Sequence, residues 1–215
     1  MADAFTGGLR AGGAKATEVG RWMATTPVLV GSNENLAAVR QKMKQGSFHR
    51  VPVVDNGKLV GIVCDSDLRQ HAGALEKVKV NGAMTRPVVT VTPTTMLERA
   101  ANLLVRHKIG GLPVVEQGKV VGIITATDLL RAFTEVLGGT QERVSRIDLS
   151  LGDSSELPMV VQLVAQESCE ILGVGTYEGA EGGRRVTYLR LRSADSSRVA
   201  RMLTEKNYQM LSIHS

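Results

Sequence analysis

Aromatic residues make up only 3% of this 215-residue chain, and no basic run is interleaved with Phe or Tyr. The stacking platforms of single-strand nucleic-acid binders are therefore missing. Cysteine is scarcer still: Cys64 and Cys169 stand far apart, with no CxxC and no His at metal-ligand spacing. Neither a disulfide framework nor a metal site is expected, and two reduced thiols remain. Charge or glycine interrupts every apolar run well short of the roughly 18 to 20 residues that a membrane-spanning helix needs. Residues 1–16 hold no apolar block ahead of a small-residue cleavage site, so the chain is read as cytoplasmic. What is present is an average globular composition, 43% hydrophobic and 22% charged, which excludes disorder and collagen. The net charge of +5 sits wholly in residues 1–142, because residues 143–215 carry nine residues of each sign. Such a mild basic bias suits a small anionic ligand as well as a nucleic acid.

The strongest signal is an internal repeat. Pro52-Val53-Val54-Asp55-Asn56-Gly57-Lys58-Leu59-Val60-Gly61-Ile62-Val63 recurs as Pro113-Val114-Val115-Glu116-Gln117-Gly118-Lys119-Val120-Val121-Gly122-Ile123-Ile124, 61 positions later. Over residues 52–68, ten of seventeen pairs are identical. The offset also maps Met23 onto Met84, Leu36 onto Leu97 and Met43 onto Leu104. Each copy reads as β-α-β-β-α. Short strands are expected at Val28–Val30 and Val88–Val91, and helices after Ser32 and Thr92 as N-caps, with Pro93 at the first helical position. Hairpins follow around Asn56-Gly57, a strong type I′ signal, and Gln117-Gly118, a weaker one. Further helices begin near Asp65 and Ala126. A unit this small cannot bury both faces of its sheet, so the two copies are expected to pack as a pseudo-symmetric pair with a cleft between them.

These motifs resemble the tandem CBS-domain pair, or Bateman module. The resemblance rests on Met84-Thr85-Arg86-Pro87-Val88, on Met23-Ala24-Thr25-Thr26-Pro27-Val28 with one extra residue, on the two Pro-Val-Val strands, and on Gly122-Ile123-Ile124-Thr125-Ala126-Thr127-Asp128. It implies an adenosine nucleotide (AMP, ADP or ATP) in the cleft. Thr125 and Asp128 would hold its phosphate and ribose side, and Val88, Ile109, Gly110 and Leu112 would face the adenine. An Asp carboxylate can accept from both ribose hydroxyls, and a Thr hydroxyl at a helix N-terminus lies where the dipole favours phosphate. The same Thr-x-x-Asp is also a capping-box variant, which local sequence does not separate from a ligand site. In the first copy Cys64 replaces the hydroxyl residue and Asp65 adds a negative charge, so Asp67, Val28, His49 and Val51 would form a degenerate or differently tuned site. His49, Arg50, Arg69, His107, Lys108 and Arg131 are the cations at hand for phosphate.

After Gly138-Gly139-Thr140-Gln141, a linker, comes a second pattern: a strand around Ile147, a helix with Pro158 in its first turn, strands at Ile171–Tyr177 and Arg185–Leu191 about a Gly-rich turn at Gly179–Gly183, a helix capped by Asp195, and a strand at Met210–Ile213. This β-α-β-β-α-β order is ferredoxin-like. It resembles an ACT-like domain, a module that often binds amino acids and pairs in dimers, although Ser155 stands where that family carries Gly. The fold class is accordingly α+β, with an N-terminal extension at 1–18, units at 19–79 and 80–137, a linker at 138–143 and the last domain at 144–215. The combination resembles the acetoin-utilisation regulatory type of bacterial protein. It implies a non-enzymatic allosteric sensor and a homodimer, with a regulated protein partner left unnamed and no membrane or nucleic acid expected. A scaffold with degenerate sites and a nucleic-acid binder are the competing readings.

Overall fold

The computed structural model describes residues 16–136, 144–167, 169–179, 185–192 and 196–214. Residues 1–15, the linker at Gly138–Gln141, most of the turn to Gly183, and Asp195 lie outside the described residues. The chain divides into two compact units, Met1–Ala132 and Phe133–Ser215.

The first unit opens with the one-turn helix α1 (Val19–Trp22). The first copy then runs α2 (Leu36–Gly46), β1 (Arg50–Asp55), β2 (Lys58–Cys64) and α3 (Asp65–Gln70). The second runs α4 (Leu97–His107), β3 (Gly111–Glu116), β4 (Lys119–Thr125) and α5 (Ala126–Val136). Both hairpins share one register: Val51 faces Val63, Leu112 faces Ile124, and a shift falls at Val53/Val54 and at Val114/Val115. Both turns take positive φ at two residues, 52° and 77° at Asn56-Gly57 and 49° and 79° at Gln117-Gly118. Gln117 thus accepts the left-handed backbone that Asn favours, because the flanking strands fix the turn.

Two expectations need correction. The strands at Val28–Val30 and Val88–Val91 shrink to single parallel bridges, Val30 to Val53 and Val91 to Val114. The Val30 N–H donates to the Pro52 carbonyl and the Val54 N–H to the Val30 carbonyl. The next rung would need an N–H from Pro52, and Pro113 in the other copy, which proline lacks. Ser32 and Thr92 do not cap helices either, and Pro93 lies outside α4. The helices begin at Leu36 and Leu97, after Asn35, which accepts from the Ala38 N–H at 2.9 Å, and after Met96. Distant carbonyls meet their first amides: Leu36 N–H donates to Val78 and Leu97 N–H to Thr17.

The copies are tied together by an exchange. Thr85 pairs with Ile62 of the first hairpin, and Ala24 pairs with Ile123 of the second, through two backbone hydrogen bonds each. Met84 lies where a Cβ on Gly61 would stand, and Met23 where one on Gly122 would. Each lead-in therefore covers the hairpin of the opposite copy. The first core gathers Val30, Leu36, Val39, Met43, Val51, Val53, Val63 and Leu68. Its counterpart holds Leu97, Leu104, Leu112, Val114, Ile124 and Leu129, all buried.

The second unit has β5 (Val144–Ser150), α6 (Leu157–Gln166), β6 (Glu170–Glu178), β7 (Arg185–Arg192), α7 (Ser196–Glu205) and β8 (Gln209–His214), in the β-α-β-β-α-β order read from the sequence. Its antiparallel sheet runs β6-β7-β5-β8. Ile147, Leu149, Leu189 and Leu191 pack with Val160, Val164, Val199 and Leu203 of the two helices. Alternate residues of β5 carry polar groups instead. Asp148, 5% exposed, accepts from Arg146 Nε at 2.6 Å and from the Tyr177 hydroxyl at 2.9 Å. Burial pushes its carboxyl up, but the Arg146 and Tyr177 hydrogen bonds outweigh that and hold it below the usual value. A lowered carboxylate gives stability that is present above its unfolded pKa of about 3.9 and is lost as pH falls through the folded value. Urea midpoints measured from pH 6 to pH 3 are therefore expected to fall more steeply below pH 4 in the wild type than in Asp148→Asn.

Candidate functional site

The final motif of each copy builds the same clamp where strand becomes helix. In the second, Asp128 Oδ2 accepts from the Thr125 N–H at 2.9 Å and from its hydroxyl at 2.6 Å, while the Asp128 N–H approaches Thr125 Oγ1 at 3.4 Å. In the first, Asp67 Oδ2 accepts from the Cys64 N–H at 2.7 Å, and the Cys64 side chain closes the box. The capping reading is thus realised in both copies, and it uses Oδ2 of each carboxylate. Burial, with Asp67 and Asp65 near, pushes the Cys64 thiol up against the opposing pull of Arg50, so it stays protonated.

The loop before each hairpin is fastened beside that clamp. Ala126 N–H donates to the Gly110 carbonyl at 3.1 Å, and Asp65 N–H donates to the His49 carbonyl at 2.9 Å. Ile109, Gly110, Leu112, Thr125 and Asp128 are thereby brought together, as are His49, Val51 and Asp67 in the first copy. Leu112 and Val51 are fully buried core side chains. Ile109 and Val28 are exposed, and Val88 is half-buried. Val28 and Val88 lie on the segments that lead to the Val30 and Val91 bridges.

Sequence reading gave Arg50 no special weight among the cations. In the structure its guanidinium crosses from the first copy onto the backbone of the second: a Cβ on Gly111 would stand 2.6 Å from Nη1, and one on Gly110 2.9 Å from Cζ. Arg50 Nη1 is buried without a hydrogen-bond partner among the described residues. Paired glycines opposite an arginine 60 positions earlier were the available signal. His49 and Arg69 turn instead to Asp65, at 3.6 and 3.2 Å. Among the described residues no cluster of His, Cys, Asp or Glu could hold a metal ion.

Comparison with known proteins agrees with the repeat. The CBS-domain family model matches residues 17–73 and 78–135. The CBS domain pair of MJ0100, solved with 5′-methylthioadenosine and S-adenosyl-L-methionine, is 30% identical, with a TM-score of 0.52, over 58% of this chain and 98% of that one. CBSX2, solved with AMP, is 30% identical, with a TM-score of 0.51, over 56% and 98%. A Vibrio cholerae protein assigned to acetoin utilisation (AcuB) is 30% identical, with a TM-score of 0.51, over 56% and 93%. A Methanocaldococcus jannaschii relative, MJ1225, is 32% identical over 125 residues, and the match spans 45% of its length.

Proposed function

We propose a function from one premise: the chain belongs to the CBS-domain family. It is a non-enzymatic regulatory protein that holds an adenosine nucleotide in the cleft of its CBS pair and reports its presence by a change of conformation or partner. The observation that carries this reading is the convergence of Ile109, Gly110, Thr125 and Asp128 around the Gly110–Ala126 hydrogen bond. Adenosine-type ligands in the MJ0100 and CBSX2 structures support the class of ligand. Asp128 Oδ1, which the cap does not use, accepts from the ribose hydroxyls. Backbone at Val88, Ile109 and Leu112 faces the adenine, and Arg50, unpaired at Nη1 among the described residues, turns to the phosphate with Thr125. Val28, His49, Val51 and Asp67 form the second, differently tuned site, where the Cys64 thiol is a poor donor.

The last domain is ACT-like in this proposal and brings two chains together in the cytoplasm as a homodimer, while the regulated partner is a protein. For regulation the nucleotide must favour one conformation, since equal affinity for two shifts nothing. A thermal-shift series with AMP, ADP, ATP and S-adenosylmethionine tests the ligand class. A ligand at a hundred times its Kd stabilises by about 2.7 kcal/mol, a shift of several degrees for a chain of this size. One observation favours a scaffold instead: the Thr125 hydroxyl is already spent on Asp128. No shift with any of the four compounds would establish that second reading.

A further inference from the structure

A cavity of about 370 Å³ opens on the second copy, with Thr90, Thr92, Thr95 and Arg99 as its polar lining and Val91 and Leu103 as apolar wall. We infer that it binds a small oxyanion, a phosphate or a carboxylate group, at a place where the first copy supplies its own. The site is separate from the proposed nucleotide cleft, because none of Val88, Ile109, Gly110, Thr125 or Asp128 lines it.

The repeat provides the internal comparison. The equivalent bridges at Val30 and Val91 fix the offset at 61, which sets Gly31 against Thr92, Glu34 against Thr95, Ala38 against Arg99 and Lys42 against Leu103. In the first copy a carboxylate occupies the place. Glu34 Oε1 accepts from the Gly31 N–H at 2.9 Å, and Oε2 accepts from Lys42 Nζ at 2.7 Å. Burial pushes the Glu34 carboxyl up, but Lys42 and Gly31 outweigh that and hold it below its usual value, so an anion is stable there. A second carboxylate oxygen, Asp55 Oδ1, accepts from the Ser32 N–H at 3.1 Å.

In the second copy the carboxylate is gone and a cation remains. Thr95 Oγ1 takes over the backbone contact, accepting from the Thr92 N–H at 2.9 Å. The Thr92 hydroxyl lies 3.2 Å from that of Thr94 and 3.0 Å from that of Thr95, so these protons can be redirected to a ligand. Threonine is shorter than glutamate, which leaves open the volume that Glu34 fills. Leu103 stands in place of Lys42, and Arg99 enters one turn earlier on the same helix. The lining therefore offers three hydroxyls and one guanidinium and no carboxylate. A guanidinium binds carboxylate and phosphate alike through two parallel hydrogen bonds, and a cavity of this size lies at the lower end of small-molecule sites.

The test is an amide NMR titration of the full ¹⁵N-labelled chain with inorganic phosphate and with acetate, against sodium chloride at matched ionic strength. Saturable shifts at Thr92, Thr95 and Arg99 with phosphate or acetate and not with chloride are expected, and the tighter of the two names the group. The double variant Thr95→Glu/Leu103→Lys installs the pair that the first copy already accommodates, and Arg99→Leu removes the cation; both are expected to lose the saturable shifts. Shifts that persist in both variants, shifts of equal size with chloride, shifts confined to Thr125 and Asp128, or no saturable shift in the wild type would each overturn the inference. The nucleotide titrations are read at the other site, so the two readings can fail independently.

Discussion

Leu112→Ala is expected to lower the stability of the first unit by about 2–5 kcal/mol in the absence of any ligand. Leu112 is fully buried, opposite Ile124 in the β3–β4 hairpin, and truncation leaves a cavity that β-paired neighbours cannot close. Ile109, three residues earlier, is 37% exposed, and Ile109→Ala is expected to leave ligand-free stability within about 0.5 kcal/mol. Equilibrium urea unfolding of the two variants separates a residue that only builds the wall from one whose side chain is free to meet a ligand. Equal losses in both would show that the loop before β3 is core throughout and that the Ile109 side chain, like that of Leu112, is not free to meet a ligand.

Gly122→Val is expected to cost about 2–3 kcal/mol and to loosen the contact between the two copies. A Cβ there would stand 2.6 Å from Met23 Sδ and 2.8 Å from the Ala24 carbonyl oxygen. The methionine can swing aside. The carbonyl cannot, because it accepts from the Ile123 N–H in the bridge that holds Ala24 on β4. Amide hydrogen exchange is the direct readout: Ala24 and Ile123 should lose protection in Gly122→Val while Thr85 and Ile62, on the opposite hairpin, keep theirs. Unchanged protection at Ala24 would contradict the exchange of lead-in segments as a tie between copies.

The repeat made most of the first unit legible. Hydrophobic spacing located α2 and α4, Asn-Gly and Gln-Gly located both turns, and the Thr125 and Cys64 motifs located the starts of α5 and α3. The order of elements in the second unit was also readable from alternation and turn residues. What failed depended on partners far away in sequence. Ser32 looks like a cap only until Val78 is known to meet the Leu36 amide, and then the helix can start four residues later. The truncated strands, by contrast, could have been foreseen, since a proline at the third position of β1 and of β3 removes the donor that a longer parallel ladder needs. For the site, the motif named Thr125 and Asp128, but no local pattern revealed that a first-copy arginine lies across Gly110 and Gly111. That contact is between copies: a Cβ on either glycine would meet the Arg50 side chain.

The central claim is that the second copy holds an adenosine nucleotide through Asp128. Asp128→Asn keeps an oxygen acceptor for the helix cap while removing the charge offered to the ribose, so it tests the ligand contact with little cost to folding. Calorimetric titration of AMP into wild type, Asp67→Asn and Asp128→Asn is the most direct measurement. Saturable binding in the wild type that survives Asp67→Asn and is lost or weakened at least about tenfold, some 1.4 kcal/mol, in Asp128→Asn is the expected result. Wild-type binding left unchanged by Asp128→Asn, or no binding of AMP to the wild type at all, would contradict it.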